Sequence, residues 1–363
     1  MTVSTDMLNA NFTNHKGPLI NSFFLTNGFW ERLVMGNRVT KASGTKIERT
    51  FTGEAPTKGM GIFSMDETIL IERKSTYKKI SVEPHRILVP IAIPQYELNQ
   101  QKDTEFVIIQ LIKAYAGTTT MGTQQDIGRF MATGQSRGKV LTTADMSGGF
   151  VSLNGSATLG STRAGTTNGV LDFAAPADQS AEVLGVDKSQ TYDWYNQAGE
   201  ITTGAYATVG RKTLRKTYRK CLHSSMNGKG PDLVFMDDDT YAAYEDERIN
   251  LVRLKGYDDR VQKGGMVSLD FGGAATVYSD PHLDRSLMSG TPSGPSFVTA
   301  PDLGATYMLN TDYWEFCFQQ VPTVGSFEDG KPYFDGAIAF LEMQGNLICT
   351  HLAAQGTVVG GGD

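Results

Sequence analysis

Ser136 stands in Gly134-Gln135-Ser136-Arg137-Gly138, the GxSxG spacing of a nucleophile elbow. That motif works where a strand feeds the serine and a helix follows, because the strained turn between them exposes the hydroxyl. Here a helix-patterned stretch precedes and an extended one follows, so the segment reads as a helix end plus loop. A serine hydrolase using Ser136 remains the enzymatic alternative. Residues 325–331 have GxxxxGK spacing, but Pro332 occupies the place of the Ser or Thr that would hold magnesium, and Phe327, Glu328 and Asp329 crowd the loop. Asp237-Asp238-Asp239 lacks the glycine and distal glutamate of a calcium loop and reads as a helix cap. The histidines His15, His85, His223, His282 and His351 are dispersed, with no metal-ligand spacing. Cys221, Cys317 and Cys349 form no CxxC pair and read as reduced, small hydrophobic residues of a chain made in a reducing cytoplasm. The expectation is a non-enzyme with no catalytic, cofactor-binding or metal-binding residues.

One charge cluster calls for a partner. Over residues 207–226, Leu214, Tyr218, Cys221 and Leu222 share one helix face, while Arg211, Lys212, Arg215, Lys216, Arg219 and Lys220 make the opposite face basic. Such a face can meet nucleic-acid phosphate, the acidic stretch 240–248, or carboxylates of a neighbouring subunit. The whole chain is acidic, with 33 basic and 39 acidic residues and a net charge of −6, which excludes a simple polybasic nucleic-acid binder.

The elements that must carry these residues follow from patterning. With 363 residues, 40% of them hydrophobic, the chain has material for two or three domain-sized units and a real core. No run reaches the length of a membrane span; the best, residues 87–93, is short and holds Pro90. No secretory signal pattern is visible in residues 1–10. Residues 1–28 are polar and read as an arm. Polar and apolar residues alternate through Ile47, Arg49 and Phe51, glycines and Pro56 punctuate a turn around Lys58, and a second extended run covers residues 62–82.

That pattern is a long β-hairpin. At 3.3 Å per residue its paired part should reach roughly 35 Å, against a radius of gyration of about 21 Å for a compact chain of this length. Its many charges mean that it need not be buried in its own core, so it is expected to lean on something else; the alternative is a hairpin folded flat onto its own domain. Residues 87–93 have a buried-strand pattern, and a bent helix is expected over 104–133, capped by Asp103 or Thr104. Gly/Ser/Thr-rich loops and small strands follow over 135–190. Residues 233–236 read as a core strand, 237–248 as an acidic helix, and 267–271, 275–279, 306–309, 314–318, 337–343 and 346–352 as strands.

The order of these elements resembles the major capsid proteins of tailed bacteriophages, of the Hong Kong 97-like fold. Four stretches carry the resemblance: the hairpin 45–83 leading through 82–93 into the helix 104–133; Val183-Leu184-Gly185-Val186-Asp187 through Asp193-Trp194-Tyr195-Asn196; Pro231-Asp232-Leu233-Val234-Phe235 followed by Asp239, Tyr241 and Tyr244; and Phe271-Gly272-Gly273 to Tyr278-Ser279-Asp280, then Tyr307-Met308-Leu309-Asn310. The resemblance implies an α+β fold with an N-terminal arm (1–44), an extended hairpin or E-loop (45–94), a peripheral domain containing the spine helix (95–200 and 313–363) and an axial domain (201–312). It implies self-assembly into hexamers and pentamers of an icosahedral shell around double-stranded DNA, assembled in the host cytoplasm and ending in the virion. The implied partners are a separate scaffolding protein, a portal and a decoration protein, with no membrane. Lys58 and the six basic residues of 211–220 are the candidate inter-subunit or DNA-facing contacts. An encapsulin-like shell, of the same fold, is the alternative.

Overall fold

A computed structural model of the chain describes residues 28–52, 77–100, 128, 131, 149–151, 169–171, 182–184, 186–187, 194–201, 206–252, 269–271, 275–279, 306–330 and 335–359. In chain order the elements are α1 (Gly28–Met35), β1 (Val39–Lys41), β2 (Ile47–Thr52), β3 (Tyr77–Val82), β4 (His85–Pro94), α2 (Gln95–Gln100), β5 (Gly149–Val151), β6 (Gly169–Leu171), β7 (Glu182–Val183), β8 (Val186–Asp187) and β9 (Gln197–Glu200). A π-helical turn, Tyr206–Gly210, then leads into α3 (Arg211–Ser224), followed by β10 (Leu233–Met236), α4 (Asp238–Val252), β11 (Leu269–Phe271), β12 (Ala275–Ser279), β13 (Thr306–Leu309), β14 (Trp314–Val324), β15 (Glu328–Asp329), β16 (Gly336–Cys349) and β17 (Gly356–Val359). The fold is α+β, as the sequence predicts.

Two sheets dominate. A five-stranded sheet runs β1-β14-β16-β15, with β4 on the other side of β16; a six-stranded sheet runs β11-β12-β10-β13-β17-β9. Strand β10, Leu-Val-Phe-Met, is buried at all four positions because both faces of its sheet are covered. Leu233 and Phe235 point into a core shared with the five-stranded sheet. Val234 and Met236 point into a second core, with Leu214 of α3 and Tyr244 of α4. The two sheets meet through aromatic side chains. Phe29 of α1 stands edge-on to Phe235 at 6.4 Å and to Trp314 at 5.6 Å, and Trp30 packs on Phe316 at 5.0 Å.

Several expectations need correction. The arm does not extend through residue 44: Phe29, Trp30 and Leu33 are fully buried, and β1 pairs in parallel with β14. One face of α1 is apolar, so burying it outweighs the polar character of the flanking sequence. Residues 87–93 are buried on one face, at Ile91 and Ile93, and exposed on the other, at Leu88 and Pro90, and among the described residues β4 pairs only with β16, as an edge strand. Pro90 explains this, because a residue without an N–H is tolerated at a sheet edge and not in a central strand. A short helix, Gln95–Gln100, directly follows Pro94, and the expected cap at Asp103 or Thr104 lies outside the described residues. Of the expected helix 104–133, only Gly128 and Met131 lie among the described residues, both helical. The six-stranded sheet draws β9 and β17 from outside 201–312, the range expected for one domain, so that boundary cuts through a continuous ladder. The two strands expected at 337–343 and 346–352 are one, β16.

Candidate functional site

The hairpin base is built as the alternation predicts. Strands β2 and β3 pair antiparallel from Ile47↔Val82 to Thr52↔Tyr77. Ile47, Phe51, Ile80 and Val82 face the body and are buried, and Phe51 packs on Trp194 with ring centroids 4.2 Å apart. The base is therefore tucked into its own core, as the alternative of a hairpin folded onto its own domain expects for this part. Burial then ends abruptly: Ile80 is fully buried, whereas Lys79, Lys78 and Tyr77 are exposed, Tyr77 at 71%. The continuation, including Lys58, lies outside the described residues, as does Ser136.

Arg49 shares the inward face with Ile47 and Phe51, and an inward charge must find a partner. It finds Glu315 on β14. Arg49 Nε donates to Glu315 Oε2 at 2.9 Å and Nη2 to Oε1 at 2.6 Å, and Nη2 also donates to Thr40 Oγ1 at 3.1 Å. Thr40 Oγ1 in turn donates to Glu315. The network ties the hairpin to β1 and β14. Burial of Glu315 disfavours its charge, but the hydrogen bonds from Arg49 and Thr40 outweigh that and hold the carboxyl below its ordinary range. Donating to Glu315 also holds the Arg49 guanidinium more firmly protonated. The alternation marks Arg49 as inward, but its partner 266 residues away has no signature in the sequence.

Helix α3 assembles the basic cluster as expected. Leu214, Thr217 and Cys221 are buried; Tyr218 and Leu222 are half-buried. The helix seats closely on β9 and β17 because glycines face it: a methyl added at Gly199 would stand 2.5 Å from Thr217 Oγ1, and one at Gly356 would stand 2.8 Å from Cys221 Sγ. That seating turns Lys212, Arg215, Lys216, Arg219 and Lys220 to solvent. None of these five makes a side-chain hydrogen bond or ion pair among the described residues. Arg211 is half-buried and already engaged.

The other motifs take structural roles. Glu328 and Asp329 form β15 against β16, and Phe327 is buried, so residues 325–330 of the GxxxxGK stretch form a strand and its approach, while Lys331 lies outside the described residues. Asp237 precedes α4, and its carbonyl accepts from Tyr241 N at 2.9 Å. The three cysteines are free and buried; desolvation pushes the Cys317 thiol up to about 11 and raises Cys221 and Cys349 further. Among the described residues no cluster of His, Cys, Asp and Glu could hold a metal ion, and no helix is long and apolar enough to cross a membrane.

No protein-family model matches the chain, and no curated protein matches it. Several solved structures are similar to it. One from Mycobacterium phage Bobi is 10% identical, with a TM-score of 0.49, over 90% of this chain and 90% of that one. The satellite phage P4 procapsid including size determination (Sid) protein is 12% identical, with a TM-score of 0.46, over 94% of this chain and 96% of that one. A virus-like particle from Pyrococcus furiosus is 8% identical, with a TM-score of 0.41, over 95% of this chain and 98% of that one.

Proposed function

We propose that this chain is the major capsid protein of a tailed bacteriophage: a structural, non-enzymatic subunit that assembles as hexamers and pentamers into an icosahedral shell around double-stranded DNA. The observation that carries this reading is the abrupt end of burial along β3. The hairpin is clamped to the body by Phe51, Ile80, Val82 and the Arg49–Glu315 pair, yet Tyr77, Lys78 and Lys79 are exposed. Two-stranded ribbons are marginal in water without a packed face. A copy of the same molecule is the economical source of that face, and a closed shell multiplies each modest contact. Lys58 on the connecting segment belongs to the same inter-subunit contact. Assembly takes place in the host cytoplasm with a separate scaffolding protein and a portal, and a decoration protein is added to the shell.

The test is size-exclusion chromatography and negative-stain microscopy of the full chain, alone and co-expressed with the other assembly proteins from its own genome. Shells, or rings of five and six subunits, are expected. A monomer under every condition, with esterase activity abolished by Ser136→Ala, would replace the shell by the hydrolase.

A further inference from the structure

We infer that the solvent face of α3 is a binding surface for the phosphate backbone of duplex DNA, read without regard to base sequence. The inference deepens the shell reading by assigning the surface of the subunit that meets the packaged nucleic acid. At 3.6 residues per turn, Lys212, Arg215, Lys216, Arg219 and Lys220 fill an arc of about 140° opposite the buried Leu214, Thr217 and Cys221. The rise of 1.5 Å per residue sets Lys212, Lys216 and Lys220 in a row roughly 6 Å apart, with Arg215 and Arg219 alongside. Duplex DNA offers about one phosphate per 1.7 Å of axis, so every cation on the face can find one.

Charge segregation sharpens the case. Residues 211–220 hold six of the 33 basic residues and none of the acidic ones, leaving 27 basic against all 39 acidic residues in the rest of the chain. A strongly acidic body therefore carries one concentrated positive face, which orients a polyanion onto that face and away from the remainder. A folded acidic protein is the competing partner, but the chemistry of the face disfavours it. Protein interfaces have an apolar, charge-depleted centre, whereas this arc holds no apolar side chain at all. DNA interfaces are polar and strongly positive. Apart from His223 in the last turn, no aromatic side chain lies on the arc, and no Asn or Gln is available there for base edges, so recognition rests on the backbone.

The experiment titrates a fluorescent 30-base-pair duplex of mixed sequence with the full unassembled chain at several salt concentrations. Five neutralised phosphates predict a slope of log K against log salt of roughly −4.5. Arg215→Gln with Arg219→Gln, which changes exposed positions and keeps helix propensity, should bring the slope to roughly −2.7 and weaken binding about 60-fold at 0.1 M salt. The control, Lys41→Gln with Lys46→Gln, removes the same charge elsewhere and should bind like wild type. An equal loss in the control, no change in the Arg215/Arg219 variant, or polyglutamate bound in place of the duplex would each overturn the inference. Particle assembly is scored in parallel. Shells without duplex binding defeat this assignment and leave the shell reading intact; duplex binding by a chain that never assembles does the reverse.

Discussion

Replacing Glu315 by Gln removes the carboxylate that neutralises Arg49 and so tests whether the hairpin is held by this pair. Exposed ion pairs contribute at most about 1 kcal/mol, and breaking a fully buried one costs roughly 3–5 kcal/mol. This pair lies between, with side-chain exposures of 31% for Arg49 and 18% for Glu315 and contacts of 2.9 and 2.6 Å. A loss of about 2 kcal/mol is expected, in the range of charge-assisted hydrogen bonds. Because the contact joins β2 to β14, the loss should fall on opening of the hairpin base. Hydrogen exchange at residues 47–52 and 77–82 should accelerate roughly 30-fold, since about 1.4 kcal/mol is a factor of ten, while β10 and β13 keep their protection. Arg49→Met keeps the apolar stem of the side chain. Combining it with Glu315→Gln should cost less than the sum of the two singles, because no guanidinium is left stranded. A coupling energy below about 0.5 kcal/mol, within ordinary additivity, would refute the clamp.

Three further outcomes are expected. Trp194→Ala removes the ring that Phe51 packs on at 4.2 Å, and at about 3–5 kcal/mol for a buried aromatic it should destabilise the subunit more than any surface change, as read by urea unfolding. Glu315 and Asp312 both have carboxyls held below their ordinary values; for each, burial opposes the charge, and the bonds from Arg49 and Thr40, or from Lys229 and Arg38, overcome it. Their contribution is complete above the ordinary carboxylate pKa and is lost as pH falls through the depressed folded values, so thermal melting at pH 3 should lie below that at pH 6, and the difference should shrink in Glu315→Gln. The cysteines should resist a thiol reagent in the native protein and yield three equivalents in denaturant, since all three are buried with raised thiol pKa values; prompt native reaction at Cys221 or Cys349 would contradict the packing.

Local periodicity told a great deal. The alternation through Ile47, Arg49 and Phe51 placed β2, and the spacing of Leu214, Tyr218 and Cys221 against six cations placed the amphipathic helix. The strands at 275–279 and 306–309 match β12 and β13 at both ends. A pattern of period two or 3.6 records which side of an element is covered, and that record lies within the element itself. The arm failed at Phe29 and Trp30, because eight residues give too little pattern to reveal that a distant aromatic slot awaits them.

The polypeptide's own order of residues thus determined several of its elements, their covered faces and the cationic arc of α3. Folding in three dimensions decided that β17 completes the sheet of β13 and pairs with β9, that Pro90 sits on an edge, and that Arg49 reaches Glu315. Such partnerships join segments far apart in the chain. They are chosen by which buried faces and charges complement one another once the sheets stack, a property of the assembled core that no local window contains.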